Sequence, residues 1–564
     1  MTPYRWARWG DLNAFFGLML DNVAVMGILL LAITTPLSAE EQLARGQFGF
    51  SSEFVLTRMI PGTALGVLIG DLIYTWLAFR LARRTGRDDV TAMPLGLDTP
   101  STFGIAFLVL MPALRIGWER FAELPVEQRS QQAMEFAWHV GLATLVISGL
   151  FKALLAPWGN AVRRWLPRAG LLGSLAAIAL ALIAFMPLLI DGIAGAPVVG
   201  MLALVVILVT LVAHRELPYK IPGALGAVLL GLALFLLGWA THLPLAPPLE
   251  GPRFQLAYDP AGMFSFYSIS TPGWWSGVLE TTLNRLPVAL PFALATVIGG
   301  IDCTESAAAA GDEYDTRTIL FTEAFASLAA GLLGGVIQTT PYIGQPAYKK
   351  MGGRAAYTLA TALFVGYVGF FGGFVFIQWL PAAALFPILI FIGLEITAQS
   401  FHATPSRHYP ALAFAILPAL ATMSILVLKS VAGPLFVPNG ERELFILQTL
   451  RCMSNGFLIM GMLWSAALAR MLDGQMRSAA VYFLVASGCA FCGLIHSPLP
   501  DEQIGLPWQI LPLVPEAFHN AVRTQTPYHW SVAYLLMAGL LALLGDRPPR
   551  DLPNLTPRPA EFAD

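Results

Sequence analysis

The stretch Gln338 to Arg354, QTTPYIGQPAYKKMGGR, lies between two apolar runs, Ile319 to Val336 and Ala355 to Ile377. It is too short and too polar to be an ordinary spanning helix, which needs about 20 apolar residues. Its edges are too apolar for a water-exposed loop. Irregular backbone at membrane depth survives only where protein buries it or where it lines a wet cavity. Prolines and glycines interrupting a hydrophobic segment point to a binding site between two half-helices. Pro346 fits the first position of such a half-helix, where a missing N–H costs nothing. The helix start then offers free N–H groups and a partial positive charge.

A second stretch in the first half has the same character. Ala92 to Gly104 reads AMPLGLDTPSTFG and leads into an apolar run from Ile105 to Leu110. Thr99 is read as the cap and Pro100 as the first helical residue. Two broken segments at corresponding places in two halves predict an inverted repeat with the site between them.

Only 12% of the 564 residues are charged and 56% are hydrophobic, against roughly 25% charged in soluble domains. The fold class is therefore an all-α polytopic membrane protein. The formal net charge of −2 leaves no basic face for nucleic acid. The first apolar run carries Asp21 and Asn22 and shows no small-residue cleavage site, so no cleaved signal peptide is expected. Cys489 and Cys492 form a C-x-x-C inside an apolar run with no second pair, which argues against metal or redox duty. No cofactor is expected.

Candidate spans fall at about 12–34, 54–82, the broken 92–115, 136–156, 170–190, 196–213 and 223–241. A Pro-rich connection follows over 242–285. The second set is about 286–309, 318–337, the broken 339–352, 354–376, 380–400, 410–429 and 447–470, closing a repeat that covers 286–470. Two further apolar runs, about 478–496 and 529–545, lie in 471–564, which ends in a Pro-rich, disordered tail. The architecture read from the chain is seven plus seven, with broken third and tenth segments, plus two helices. Lys and Arg recur after alternate spans, which puts both termini in the cytoplasm of a cell's cytoplasmic membrane. The broken segments then cross in opposite directions.

Ionisable residues inside spans cost at least about 2.5–3.5 kcal/mol each, so each is a functional candidate. Asp21 and Asn22 lie midway along the first span, and Asp71 deep in the second. In the eighth, Thr296 is followed by Gly299 and Gly300, which let a flat ligand approach. Asp302 comes one turn later, and Glu305 shares its face. A carboxylate here is a candidate for ion coupling. The charged turn Gly311–Arg317 reads as merely solvated. In the broken segments, Asp98, Thr99, Ser101 and Thr102 are expected to face Thr339, Thr340, Tyr342 and Gln345. The Gln345 amide both donates and accepts, as a base edge requires, while Tyr342 and Phe103 offer rings for stacking. The eight histidines are scattered, and no H-E-x-x-H or G-x-S-x-G occurs, so the chain does not read as an enzyme.

TTPYIGQPAYKKMGGRAAYT in the tenth segment and GGIDCTESAAAAGDEYDTR at the end of the eighth resemble the nucleobase–ascorbate transporter (xanthine/uracil permease) family. The tenth-segment pattern is most similar to the adenine/guanine/hypoxanthine permease branch, whose motif runs Thr-Thr, Tyr-Ile, a Glu, then Gly-Gly-Arg. The likeness is good over about 286–400 and architectural over the first half. It implies a core domain of segments 1–4 and 8–11, a gate domain of segments 5–7 and 12–14, elevator-like movement, a homodimer and proton-coupled nucleobase uptake. The family's tenth-segment Glu falls at Gly344 or Gln345, so the carboxylate is missing here. Its eighth-segment acid falls at Thr296, where it is lost, or at Asp302, where it is kept. The expectation is a transporter of a purine or related heterocycle, with Asp302 and Glu305 coupling a proton or other cation. Thr340, Tyr342, Gln345, Ser101, Phe103 and Thr296 would surround the substrate. The rival reading is a sulfate- or bicarbonate-type anion transporter of the same fold.

Overall fold

The computed structural model describes residues 4–35, 37–158, 167–189, 193–213, 215, 217–218, 221–246, 272–342, 344–374, 381–432, 436–500 and 504–546. The middle of the Pro-rich connection and the C-terminal tail lie outside the described residues. Ten described helices are long and apolar enough to cross a membrane, or eleven if one bent pair counts as a single span. The protein is a multi-pass, all-α membrane protein.

The first seven segments are α1 (Gly10–Ile33), α2 (Ile60–Thr85), α3 (Thr99–Gly104, running on through Ile105–Leu110 to Met111–Arg120), α4 (Val126–Leu155), α5 (Arg168–Ile178), α6 (Pro197–Ile207) and α7 (Gly223–Thr241). The next seven are α8 (Pro272–Ala309), α9 (Thr316–Leu332), α10 (Gln345–Lys350), α11 (Ala356–Phe370), α12 (Pro387–His402), α13 (Tyr409–Ala432) and α14 (Phe457–Leu472). Glu441–Ser454 meets α14 at a 72° bend. The last two are α15 (Met476–Phe491) and α16 (Pro527–Leu544). The eighth segment starts well before residue 286, inside what composition marks as connection. Its apolar stretch is extended by a polar first part, and Pro287 and Pro291 lie within the helix.

The two broken segments meet. Leu95–Leu97 forms β1 and Thr339–Pro341 forms β2, and they pair antiparallel with Gly96 opposite Thr340. Asp98 N donates to Gln338 O and Tyr342 N to Pro94 O, each at 2.9 Å, extending the ladder at both ends. A half-helix follows each strand, so α3 and α10 start beyond opposite ends of a shared antiparallel ribbon. Both helix starts are shifted by one residue from expectation. Asp98, not Thr99, caps α3, because its carboxylate accepts from Ser101 N at 2.8 Å, a stronger acceptor than a hydroxyl. Pro100 and Pro346 thus take the second helical position.

Close packing carries α2 to the ribbon. Gly62, Gly66 and Gly70 form a small-residue stripe. A methyl at Gly66 would fall 2.6 Å from Ala330 Cβ, and one at Gly70 2.7 Å from Leu95 Cδ2. The missing side chains let α9 and β1 sit directly on α2.

The chain divides into two compact units, residues 1–163 with 182–394 and 432–435, and residues 164–181 with 395–431 and 436–564. The ribbon belongs to the first. In the second, α15 and α16 pack on each other and α15 packs on α14, around a core that includes Met460, Phe483, Ala490 and Tyr534. His496, just past α15, is fully buried there. It stacks on Trp530 at 3.7 Å, and its ring nitrogens reach Tyr534 Oη (2.7 Å) and Cys452 O (3.1 Å). Burial pushes its pKa down to about 3.

Candidate functional site

A two-stranded ribbon inside a membrane has two outer edges, and each unpaired N–H or C=O there costs several kcal/mol. Here side chains from five helices hydrogen-bond to the two edges. On the β1 side, Leu95 N donates to Asp71 Oδ1 of α2 (2.9 Å) and Leu97 N to Asn22 Oδ1 of α1 (3.0 Å). Asn22 is fixed in turn by donating its amide to Leu18 O at 2.9 Å. On the β2 side, Thr339 N donates to Ser327 Oγ of α9 (3.2 Å). The Thr339 carbonyl accepts from Lys152 Nζ of α4 (3.0 Å), and Cys303 Sγ of α8 donates to Pro341 O (3.3 Å). Pro341 has no N–H to satisfy, which suits an edge position.

Lys152 also makes a 2.9 Å ion pair with Glu323 of α9, and both side chains are completely buried. Thr296 of α8 lies beside Glu323, and its hydroxyl donates to Ala293 O at 2.9 Å. One face of α8, through Thr296, Gly300 and Cys303, is therefore turned to Glu323 and β2. Sequence reading passed over Lys152, Glu323 and Ser327. The signal was present, since a lysine and a glutamate in the middle of apolar runs are candidates by the same rule that flagged Asp302.

A second cluster ties the outer end of the ribbon. Asp312, in the loop after α8, is fully buried. It accepts from Thr91 N (3.1 Å) and Gln345 Nε2 (2.8 Å) and pairs with Lys349 (2.7 Å) and Arg87 (3.4 Å). The turn Gly311–Arg317 is thus not merely solvated: the segments it touches supply donors that pull one of its carboxylates inside. Arg87 also holds the neighbouring Asp89 carboxyl below its usual range. Asp11, at the start of α1, performs a comparable task, accepting from Arg354 N (2.8 Å) and Tyr357 N (3.1 Å) to start α11.

The residues expected around a ligand fall as follows. Thr340 and Tyr342 are half-buried along and just after β2, with Tyr342 stacked on Tyr348 at 6.1 Å and 25°. Gln345 is fully buried, and its amide is committed to Asp312 and to the Thr91 carbonyl (3.3 Å). Ser101 is buried in the first turn of α3, its hydroxyl donating to Asp98 O at 3.2 Å. Phe103 is buried and stacks on Phe107 at 6.1 Å. Asp302 is half-buried and Glu305 exposed, both with interaction partners. Asp21 is buried beside β1: a Cβ on Gly96 would stand 3.7 Å from Asp21 Oδ2. Gly299 faces open space, where a methyl would meet nothing within 4 Å.

No family model and no curated protein matches this sequence. Among solved structures, the fold is similar to the transmembrane domain of BicA, a bicarbonate transporter of a cyanobacterium. That likeness is 15% identical, covers 76% of this chain and 97% of that one, and has a TM-score of 0.44.

Proposed function

We propose that this protein is a secondary transporter of a small planar heterocycle, a purine or related nucleobase, coupled to a cation across the cytoplasmic membrane. The observation that carries the reading is the ribbon that pairs the two broken segments, with a half-helix following each of its strands. Such interrupted segments build substrate sites at membrane depth in transporters. Backbone irregularity of this kind is costly in a bilayer, and five helices contribute polar side chains to sustain it. Thr340 and Tyr342, half-buried beside the ribbon, supply a hydroxyl and an aromatic face, and the glycine at 299 leaves room on α8.

Two features favour a neutral planar ligand over an anion. Asp98 already occupies the start of α3 with its carboxyl group, which takes the Ser101 N–H of the first turn and leaves less to offer an anion there. The Tyr342–Tyr348 stack offers a π face. The anion reading retains one supporting feature: Gly344, which caps α10, brings no side chain to the free N–H groups of that turn. A thermal-shift screen of the purified protein against purines, pyrimidines, ascorbate, sulfate and bicarbonate separates the two. A ligand that binds only the folded state raises the melting temperature with its concentration. Stabilisation by one class of base is the expected result, and stabilisation by sulfate or bicarbonate alone would replace it with the anion reading.

A further inference from the structure

Five acidic side chains are buried among the described residues: Asp11, Asp21, Asp71, Asp312 and Glu323. Three have their charge answered. Asp11 accepts three backbone N–H groups, from Arg8, Arg354 and Tyr357. Asp312 meets Lys349 and Arg87, and Glu323 meets Lys152. Asp71 accepts one N–H, from Leu95, on one of its two oxygens, and so is fixed to β1. Asp21 receives no hydrogen bond and no ion pair from any described residue, although it is only 6% exposed at the midpoint of α1.

Its surroundings offer one way to neutralise it. α1 packs against α11, α3, β1, α7 and α10. The titratable groups facing it from these elements are Tyr348 of α10 and, further off, Tyr357 of α11. Asp98 stands at the start of α3 and Asp71 beyond β1, and α7 and β1 bring none. Tyr357 spends its hydroxyl on Ala92 O (2.6 Å), and Lys349 of α10 is committed to Asp312. Beside the carboxylate near Gly96 lie Asn22 Oδ1, already accepting from Leu97 N, and the apolar Leu18 side chain. A metal cation needs a shell of several oxygens, and this wall does not supply one. An unpaired ionised carboxylate in hydrocarbon surroundings is too costly to persist.

We infer that Asp21 carries an exchangeable proton, and that this proton is the coupling ion of the transport cycle. The position suits the role. Asp21 lies against the β1 residue that pairs with Thr340, so a change of its charge is felt where the two half-helices begin. Asp302, the acid that sequence singles out for coupling, already has an interaction partner. The coupling part of this inference rests on the proposed transport function, whereas the protonation part does not.

The test is infrared difference spectroscopy on the full chain reconstituted in lipid, titrated from alkaline to acidic pH, with and without sodium. The wild type should gain the carbonyl band of a protonated carboxylic acid. Asp21→Asn should lack that band at unchanged thermal stability, and Asp71→Asn should keep it. A band that survives Asp21→Asn, disappears in Asp71→Asn, never appears in the wild type, or is suppressed by sodium at fixed pH would each overturn the assignment. In the same vesicles, hypoxanthine accumulation driven by a pH gradient should be lost in Asp21→Asn, and full accumulation by that variant would overturn the coupling role. If the wild type moves no hypoxanthine, the proposed substrate fails, and proton release on adding another base or anion from the thermal-shift screen decides coupling.

Discussion

The Lys152–Glu323 pair makes the sharpest energetic prediction. Both side chains are completely buried, 2.9 Å apart. Removing one partner strands the other charge, which costs about 3–5 kcal/mol. Lys152→Met and Glu323→Gln should therefore each lower stability by that amount. The Lys152 variant also withdraws a donor from the Thr339 carbonyl, but Ser327 Oγ still stands 3.3 Å from that oxygen, so little is added. In Lys152→Met/Glu323→Gln neither charge remains. The residual loss is one weakened hydrogen bond and imperfect packing, about 1–2 kcal/mol. The double variant should thus be more stable than either single one by about 2–3 kcal/mol, a coupling far outside additive behaviour. Equilibrium unfolding in mixed micelles, titrated with a denaturing detergent, measures all four corners of the cycle. Additive losses, with the double variant weakest, would refute the claim that the two charges compensate each other.

Two further outcomes follow from the edges and from the second unit. Asn22→Leu removes the acceptor of Leu97 N and should cost about 1–3 kcal/mol, while Asn22→Asp keeps an acceptor and should unfold closer to wild type; equal losses would show that the hydrogen bond to β1 carries no stability. His496 stays neutral when folded because burial lowers its pKa to about 3, whereas an unfolded histidine titrates near 6.5. Its contribution is fully present above about pH 6.5 and is lost as pH falls toward 3, by up to about 1.4 kcal/mol per pH unit. His496→Gln should flatten that acid limb in thermal melts, and an unchanged limb would exclude His496 as its source.

Much of this fold can be read from the chain because the bilayer enforces simple rules. Apolar runs give the segments, and the two Pro- and Gly-interrupted stretches mark where regular helix fails. The sequence reads them as two segments facing each other, but not as strands. Three residues each are too few for a period-2 pattern to register, and pairing is a long-range event that no local signal encodes. The roles of the polar residues were harder still. Asn22 and Asp71 stand out only as polar residues inside spans, and their task shows when the edges of a ribbon appear that need acceptors. Gln345 looks free until Asp312 is found folded inward from a loop more than thirty residues earlier. Lys152 and Glu323 lie on different helices, and only packing reveals that they neutralise each other. Asp302 and Asp21 are equally conspicuous in the sequence, and only contacts separate the partnered acid from the unpartnered one.

The doubly clamped ribbon also limits how the molecule can move. A strand advances about 3.3 Å per residue, and a slip of one residue turns every side chain to the opposite face. Such a slip would bring Thr340 or Gln338, with its side chain reversed, to the place where Thr339 now meets Ser327 and Lys152, and a slip of two could bring Pro341, which has no N–H. It would also part Leu95 and Leu97 from Asp71 and Asn22. No intermediate register satisfies both edges, so sliding along the strands is not a soft coordinate. The ribbon must travel, if it travels, together with the parts of α1, α2, α4, α8 and α9 that grip it. Any large displacement of the ribbon is then a displacement of that gripped block as a whole.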